Sequence, residues 1–492
     1  MSILSKLVSQ TAIYGLSSIV GRFLNYLLVP VYTYYFVPAE YGVISEFYAY
    51  AGFFSVLLVL GFETGYFRFR GNGDTKRDSA YATALWFIVL LNLAFVSIAI
   101  VNQQALATLI HYAEHPEYIV YFTAILSLDA VSAIPFARLR AENKALRFAT
   151  IKLAEIIMTI GLSLFFIVYC PKLHSERPDS PLLLLYQPQI GVAYVFIANL
   201  IASAGKFLLL TPELLGLRWG IKRQLFIKML VYSAPMAIVG FAGIINEMLD
   251  RALLKYLLPH DVTTNMKMLG IYSACYKLSI LMSLFIQAFR YAAEPFFFSY
   301  ARQHDAKLIY AKVLNYFVIF CVFIFLLVTL FIDFFQYFVG EAYRSGLTVV
   351  PILLIANLCL GIHVNLSIWY KLTDRTGLGA WLSIAGALLT ITLNYYWIPL
   401  YGYAGAAWAT LMCYGAMAMV SYLLGQLYYP VAYDIKRLIG YIALGIGLFK
   451  AKEFAIIYSS LNTWLLSGLL LTVYLLFVAL FEKPAKRASV SC

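Results

Sequence analysis

Long apolar segments alternate with short polar segments along almost the whole chain. A helix needs about 20 apolar residues to cross the roughly 30 Å hydrocarbon core of a bilayer, and fourteen segments reach or approach that length. They predict membrane-spanning helices at residues 11–37, 41–67, 80–101, 118–137, 148–169, 189–210, 229–258, 268–292, 309–333, 347–370, 378–398, 403–426, 438–457 and 462–482. The thirteenth is interrupted by Lys450 and Lys452. Because the loops between these segments are short, we expect an all-α polytopic membrane protein without a soluble domain.

The Lys and Arg residues are distributed unevenly between the two sides that this count defines. With the N-terminus inside, 24 of the 36 Lys and Arg residues fall at the cytoplasmic side and 7 at the outer side. Cytoplasmic loops of membrane proteins carry an excess of these residues, and a wrong number of crossings would remove the asymmetry. We therefore expect both termini to be cytoplasmic.

The composition excludes several classes of protein. A chain with 62% hydrophobic and 12% charged residues is not a soluble globular domain. The net charge of +12 is explained by topology and lipid headgroups rather than by nucleic acid. The first apolar run is longer than a secretory h-region and lacks a small-residue cleavage pattern, which indicates a retained helix. Six cysteines without paired spacing predict neither a disulfide nor a metal site. Metalloprotease, serine-hydrolase and P-loop motifs are absent, so we expect no cofactor and no enzyme.

An internal repeat indicates how the chain is organised. Residues 41–69 align without gaps on residues 269–297. The matched pairs are Gly42 and Gly270, Ser45 and Ser273, Tyr48 and Tyr276 and, upstream, Asn25 and Asn246. Because the copies are separated by six crossings, an even number, both have the same orientation, and we expect two six-helix bundles related by pseudo-twofold symmetry. The predicted division is a bundle at 1–210, a cytoplasmic amphipathic linker at 211–228, a second bundle at 229–426, and two extra C-terminal transmembrane helices with a cytoplasmic tail at 427–492.

Four cationic residues within the predicted spans indicate a polar cavity. An ionisable residue in the bilayer costs on the order of 3 kcal/mol, so several in one chain suggest that they share a wet cleft. At a rise of about 1.5 Å per residue, Arg22 and Lys277 lie near mid-membrane, Arg251 in the outer third and Arg290 near the inner end. They predict a cationic ladder along the cleft between the halves, a path for an anion. The candidate substrate-binding residues are Arg22, Asn25, Tyr26, Arg251, Tyr276, Lys277 and Arg290.

Helix-local neutralisation is an alternative for two of these cations. Glu247 precedes Arg251 by four residues, the orientation that favours an ion pair on one helix face. Arg290 and Glu294 repeat the spacing near the inner headgroups, where a long cationic side chain can reach the interface.

Intramembrane carboxylates give a second set of candidates. The ion-coupling candidates, which would bind a proton or Na⁺, are Asp129, Glu155, Glu247 and Asp250. Lys152 lies three residues before Glu155, and Asp129 lies between serines, so both carboxylates also fit a structural role within the bundle.

Five segments in order resemble one family. They are VPAEYGVISEFYAYAGF at 37–53, LRAENKALRF at 139–148, LGIYSACYKLS at 269–279, AFRYAAEPFFF at 288–298 and NYYWIPLYGYAGAAWAT at 394–410. Together they resemble the polysaccharide-biosynthesis flippases of the multidrug/oligosaccharidyl-lipid/polysaccharide (MOP) superfamily, over nearly the whole chain.

The resemblance implies a flippase of the bacterial inner membrane. Its substrate would be an undecaprenyl-diphosphate-linked oligosaccharide for O-antigen, capsule or exopolysaccharide assembly, moved by alternating access of two six-helix bundles around a central cavity. It implies two extra C-terminal helices that bind the lipid tail. Membrane lipids and polysaccharide polymerase or assembly proteins are further expected partners. Three alternatives stay open: a lipid II flippase, a cation-coupled multidrug antiporter of the same superfamily, and a membrane glycosyltransferase or polymerase.

Overall fold

The computed structural model describes residues 20–71, 74–214, 220–301, 303–458 and 462–482, with the backbone alone at 74–77 and 295. Across these ranges the chain is helical and contains no β-strand, which confirms the predicted fold class. After a helical segment at 20–26, the α-helices are Leu28–Tyr35, Pro38–Val59, Phe62–Phe69, Asp74–Val101, Gln103–Leu109, Glu117–Ala141, Ala145–Leu164, Cys170–Glu176, Ala193–Leu214, Arg223–Leu257, Val262–Leu278, Ile280–Tyr300, Ala306–Leu330, Ile332–Phe335, Val350–Leu366, Ile368–Leu372, Thr376–Tyr428, Ile435–Tyr458 and Thr463–Phe481.

Each predicted span overlaps one or more of these helices, although residues 11–19 of the first span lie outside the described ranges. Within those ranges, ten helices are long and apolar enough to cross a membrane. The count rises to eleven if the pair Val262–Leu278 and Ile280–Tyr300, bent by 49°, is one span. The 53-residue helix Thr376–Tyr428 covers two predicted spans. These numbers are consistent with about 14 crossings, and the chain is a multi-span membrane protein.

Two spans are broken where the backbone turns left-handed. Leu60 (φ 48°) and Gly61 (φ 69°) separate Pro38–Val59 from Phe62–Phe69, within the single helix predicted at 41–67. In the long helix, Gly402 (φ 62°, ψ −147°) marks the boundary that the sequence places between its eleventh and twelfth spans. A residue without Cβ adopts these angles at no steric cost, so glycine lies at both breaks.

The described residues group into two compact units. The first comprises the described residues of Met1–Lys277 with Val339–Ser345 and Ala380–Thr410. In one of its cores, the rings of Phe62, Tyr66 and Tyr81 pack together with small residues. The second unit comprises the described residues of Leu278–Phe338, Gly346–Gly379 and Leu411–Cys492, with a core around Phe297, Tyr310 and Ile368. The two-bundle division predicted from the repeat stays a prediction.

The two matched glycines of the repeat contact each other's helices reciprocally, inside the first unit. Gly42 packs against the carbonyl oxygen of Met266, four residues before Gly270. Gly270 packs against the carbonyl oxygen of Pro38, four residues before Gly42. A contact in which residue i meets j and j meets i is the mark of a twofold relation. The contact therefore supports the sequence repeat with a local pseudo-twofold axis.

We expect Gly270→Ala to destabilise the protein, because the new methyl group overlaps the backbone of Pro38 rather than a movable side chain. Overpacking of this kind costs about 1–3 kcal/mol. The measurement is the thermal midpoint of the purified protein in detergent, followed by size-exclusion chromatography. Gly243→Ala is the matched control, since a Cβ there meets nothing within 4 Å. An equal midpoint for both variants would show that the glycine contact is not tight.

Candidate functional site

Arg251 lies on the helix Arg223–Leu257, and its guanidinium is stacked on an aromatic ring of the next helix. The guanidinium carbon is 4.0 Å from the ring centroid of Tyr276, close enough for a cation–π interaction. Arg251 is buried, with 9% exposure. Among the described residues, no carboxylate oxygen lies within 4.0 Å of this guanidinium. Arg251 therefore keeps its charge without a direct ion pair.

The neighbouring carboxylates have other roles. Asp250 accepts hydrogen bonds from the Tyr272 hydroxyl at 2.5 Å and from the Arg251 backbone N–H at 2.8 Å. Glu247 is exposed, and the Arg251 guanidinium reaches only its backbone carbonyl, at 3.4 Å. The helix-local ion pair that the spacing allowed is not formed, because the guanidinium instead lies over the ring of Tyr276.

Lys277 adds a second cation to this region. It is half-buried, follows Tyr276 directly, and lies near enough to Arg251 for the two positive charges to repel. No described carboxylate lies within 4.0 Å of its ammonium group. Asp250 and Glu247 lie near enough to attract Arg251, and Glu247 attracts Lys277, but neither carboxylate forms an ion pair with these cations. Two cations on adjacent helices without a direct ion pair keep an attraction for an anion.

The remaining substrate-binding candidates lie elsewhere. Arg22 and Asn25 are exposed on the helical segment at 20–26, and Tyr26 is buried there. Among the described residues, no ion pair or hydrogen bond joins Arg22 or Asn25 to Arg251 or Lys277. Arg290 belongs to the second unit. The structure thus brings together Arg251, Tyr276 and Lys277 of the predicted set.

Asp129 and Glu155 are joined by a lysine that the sequence did not single out. Lys206, only 2% exposed, is 2.5 Å from an Asp129 oxygen and 2.6 Å from a Glu155 oxygen. Ser203 donates to Asp129 at 2.7 Å, and Lys152 pairs with Glu155 at 3.1 Å. Both ion-coupling candidates are therefore neutralised by ammonium groups, and a transported cation would have to displace Lys206. Lys206 is one of the five Lys and Arg residues that the count of 24 inner and 7 outer residues leaves within the predicted spans, and this was the available signal.

A second buried network was also missed. Glu46 and Lys255 form an ion pair at 3.0 Å with 0% and 2% exposure. The hydroxyls of Tyr50 and Tyr112 donate to the Glu46 carboxylate at 2.5 and 2.6 Å. Lys255 also donates to the carbonyl of Ile110 at 2.5 Å. The charge count assigned Lys255 to the seven outer-side residues. Its partner was missed because hydropathy does not show which lysine forms an ion pair.

The network fixes the protonation of its loop residue. Tyr112 lies between two spans, and burial first, then the Glu46 carboxylate, raise the pKa of its phenol well above the ordinary value. The phenol therefore stays a donor at all physiological pH values. With Lys255 it satisfies the carboxylate, which a buried charge requires.

We expect Lys255→Met to lower the thermal midpoint strongly, because it leaves Glu46 charged and buried without its counter-ion. Breaking a buried pair costs about 3–5 kcal/mol. The double variant Glu46→Gln with Lys255→Met should recover part of this loss, since both charges are gone. Lys450→Met, at an exposed pair with Glu453, is the control and should change little. A double variant less stable than Lys255→Met would contradict the pairing.

No protein-family model and no curated protein matches the sequence. Solved structures do match. The lipid II flippase MurJ, in an inward closed conformation, aligns with a TM-score of 0.70 and 15% identity over 95% of this chain and 98% of that chain. An inward-facing multidrug resistance MATE family transporter of the MOP superfamily aligns with a TM-score of 0.65 and 14% identity over 82% and 93%. An outward-facing multidrug resistance MATE family transporter aligns with a TM-score of 0.57 and 13% identity over 85% of this chain and 94% of that chain. The chain has the fold shared by MATE transporters and the flippase MurJ.

Proposed function

We propose that this protein is a flippase that moves an undecaprenyl-diphosphate-linked oligosaccharide across the bacterial inner membrane, for polysaccharide or lipopolysaccharide assembly. The observation that carries the proposal is the pair Arg251 and Lys277, two cations in membrane-spanning helices without a described carboxylate within 4.0 Å. Each costs on the order of 3 kcal/mol in a bilayer, so both are explained by an anion that comes to them.

A diphosphate fits these cations chemically. The planar guanidinium of Arg251 can donate two parallel hydrogen bonds to phosphate oxygens, and the ammonium of Lys277 adds a point charge. The ring of Tyr276 holds the guanidinium from one side. Its repeat partner Tyr48 is exposed, and its hydroxyl accepts from the Asn199 amide at 3.2 Å. Exposed rings of this kind offer stacking surfaces for sugars.

The proposal also includes the first predicted span, the two bundles and the partner proteins. Arg22, with Asn25 and Tyr26 in the first predicted span, joins Lys277 and Arg251 in holding the diphosphate, and we call these three cations the diphosphate clamp. The bundles 1–210 and 229–426 alternate access around the site, both termini lie in the cytoplasm, and the polyprenyl tail stays in lipid. Polysaccharide polymerase and assembly proteins are the proposed partners.

A lipid II flippase is the second candidate, because the chain shares its fold with MurJ over nearly the whole length of both chains. The alignment with MurJ leaves about 25 residues of this chain uncovered, 5% of 492, fewer than the segment 435–482 that holds the two C-terminal helices. The alignment therefore extends into those helices. A cation-coupled antiporter has less support, because Lys206 already occupies Asp129 and Glu155.

We expect Arg251→Ala and Lys277→Ala each to reduce flipping by at least about tenfold, since a charge-assisted hydrogen bond contributes about 1.5–3 kcal/mol. Arg22→Ala should reduce flipping by the same factor, because Arg22 is the third cation of the proposed clamp. The assay is complementation of deletion strains for O-antigen export and for lipid II export, with membrane levels measured by immunoblot.

Arg251→Lys should retain partial activity, because lysine keeps the positive charge but cannot donate the two parallel hydrogen bonds of a guanidinium. Lys450→Ala is the surface control. If the wild-type chain rescues neither strain, the flippase proposal is wrong. Full activity of Arg251→Ala and Lys277→Ala, in a strain that the wild type rescues, would remove the diphosphate clamp. Glycan-joining activity of the purified protein would instead favour a glycosyltransferase or polymerase.

A further inference from the structure

The second unit contains an open cavity of its own, whose empty space of about 280 Å³ includes the solvent at its mouth. It lies against the helices Ile280–Tyr300, Val350–Leu366 and Ile368–Leu372, at the ends that the predicted topology places towards the cytoplasm. Its polar wall consists of Arg290, Glu294, Asn365, Ser367 and Lys371.

The charged side chains give the wall a net charge of +1. Lys371 forms an ion pair with Glu294, so these two charges offset each other. Arg290 is exposed, and no described carboxylate oxygen lies within 4.0 Å of its guanidinium. The pairing of Arg290 with Glu294, suggested by their spacing, is absent because Lys371 takes the carboxylate. One positive charge at the cavity is thus left for a ligand.

A buried amide points to the same ligand chemistry. Asn365 is only 5% exposed, and its Nδ2 has no hydrogen-bond acceptor among the described residues. A buried donor without a partner is rare in folded proteins and calls for an explanation. An acceptor oxygen in the cavity would satisfy it.

The rest of the wall is apolar. Phe289, Phe297, Val364 and Ile368 line it beside the polar groups. The cavity opens to its surroundings, so a lipid phosphate would reach its polar groups from outside rather than fill an enclosed chamber. A lipid carries a phosphate and an apolar chain side by side, as these walls do.

We propose that this cavity binds the phosphate group of an anionic lipid from the adjacent leaflet. Arg290 holds the phosphate, Asn365 donates to one of its oxygens, and the chain of the lipid runs along Phe289 and Ile368. The source is a phospholipid or a polyprenyl diphosphate, which share the phosphate ester. The site is separate from Arg251 and Lys277 and does not require the flippase function.

The experiment titrates the purified full-length protein in a maltoside detergent and reads bound lipid by native mass spectrometry. The probes are phosphatidylglycerol, undecaprenyl diphosphate, diacylglycerol and inorganic phosphate. We expect at least one phosphate lipid to bind at least fivefold more tightly than diacylglycerol. Binding only of phosphatidylglycerol identifies a membrane phospholipid, and binding only of undecaprenyl diphosphate identifies a polyprenyl lipid.

The variants test the site in both directions. Arg290→Gln should weaken binding at least fivefold, whereas Glu294→Gln, which removes the negative charge of the wall, should tighten it at least twofold. A misfolded variant cannot bind more tightly, so Glu294→Gln separates the site from a folding defect. Lys307→Gln is the matched control, because Lys307 is an exposed cation of the same unit and lies outside the cavity wall.

Arg290→Gln binding like the wild type would overturn the proposal. So would equal binding of diacylglycerol, weaker binding by Glu294→Gln, or saturation by inorganic phosphate alone at the lipid's concentrations. Arg251→Ala belongs to the other unit and should leave this binding unchanged while it reduces flipping. The two proposals therefore fail separately.

Discussion

The stability and the chemistry of this chain both depend on what happens to a charge that is taken out of water. The structure gives buried lysines partners. Lys206 lies between two carboxylates, Lys255 pairs with Glu46, and Lys452 donates to the Leu330 carbonyl at 2.7 Å. Arg251 instead rests on an aromatic ring. Ion pairs of the first kind hold helices together, whereas a cation held by a ring and a backbone carbonyl keeps an attraction for an incoming anion.

The helices could be predicted from the sequence because a bilayer imposes a length. Apolar runs of about 20 residues leave few choices, and even the thirteenth span, interrupted by two lysines, is helical as Ile435–Tyr458. Breaks within spans were harder to predict. Gly402 coincides with a boundary visible in the sequence, but the left-handed turn at Leu60 and Gly61 falls inside an uninterrupted apolar run.

The candidate site was predictable in its residue types and less so in its pairings. Their positions within predicted spans identified Lys277 and Arg251 as unusual. The partner of a side chain is set by the packing of helices far apart in the sequence, which is why Lys206 and its acids, 77 and 51 residues away, were missed. For Arg251 the four-residue spacing predicted an ion pair with Glu247. The guanidinium instead lies over the ring of Tyr276 on the next helix.

The glycine contact between the two repeat copies has a mechanical consequence. Gly42 and Gly270 bring two backbones together, with carbonyl oxygens rather than side chains as the nearest atoms of the facing helix. Such a junction resists compression, because carbonyl oxygens already fill the space. The two glycines have no side chains that would have to withdraw from the facing helix when one helix tilts. The junction is suited to act as a pivot about which the Pro38–Val59 and Val262–Leu278 helices can swivel without changing rotamers.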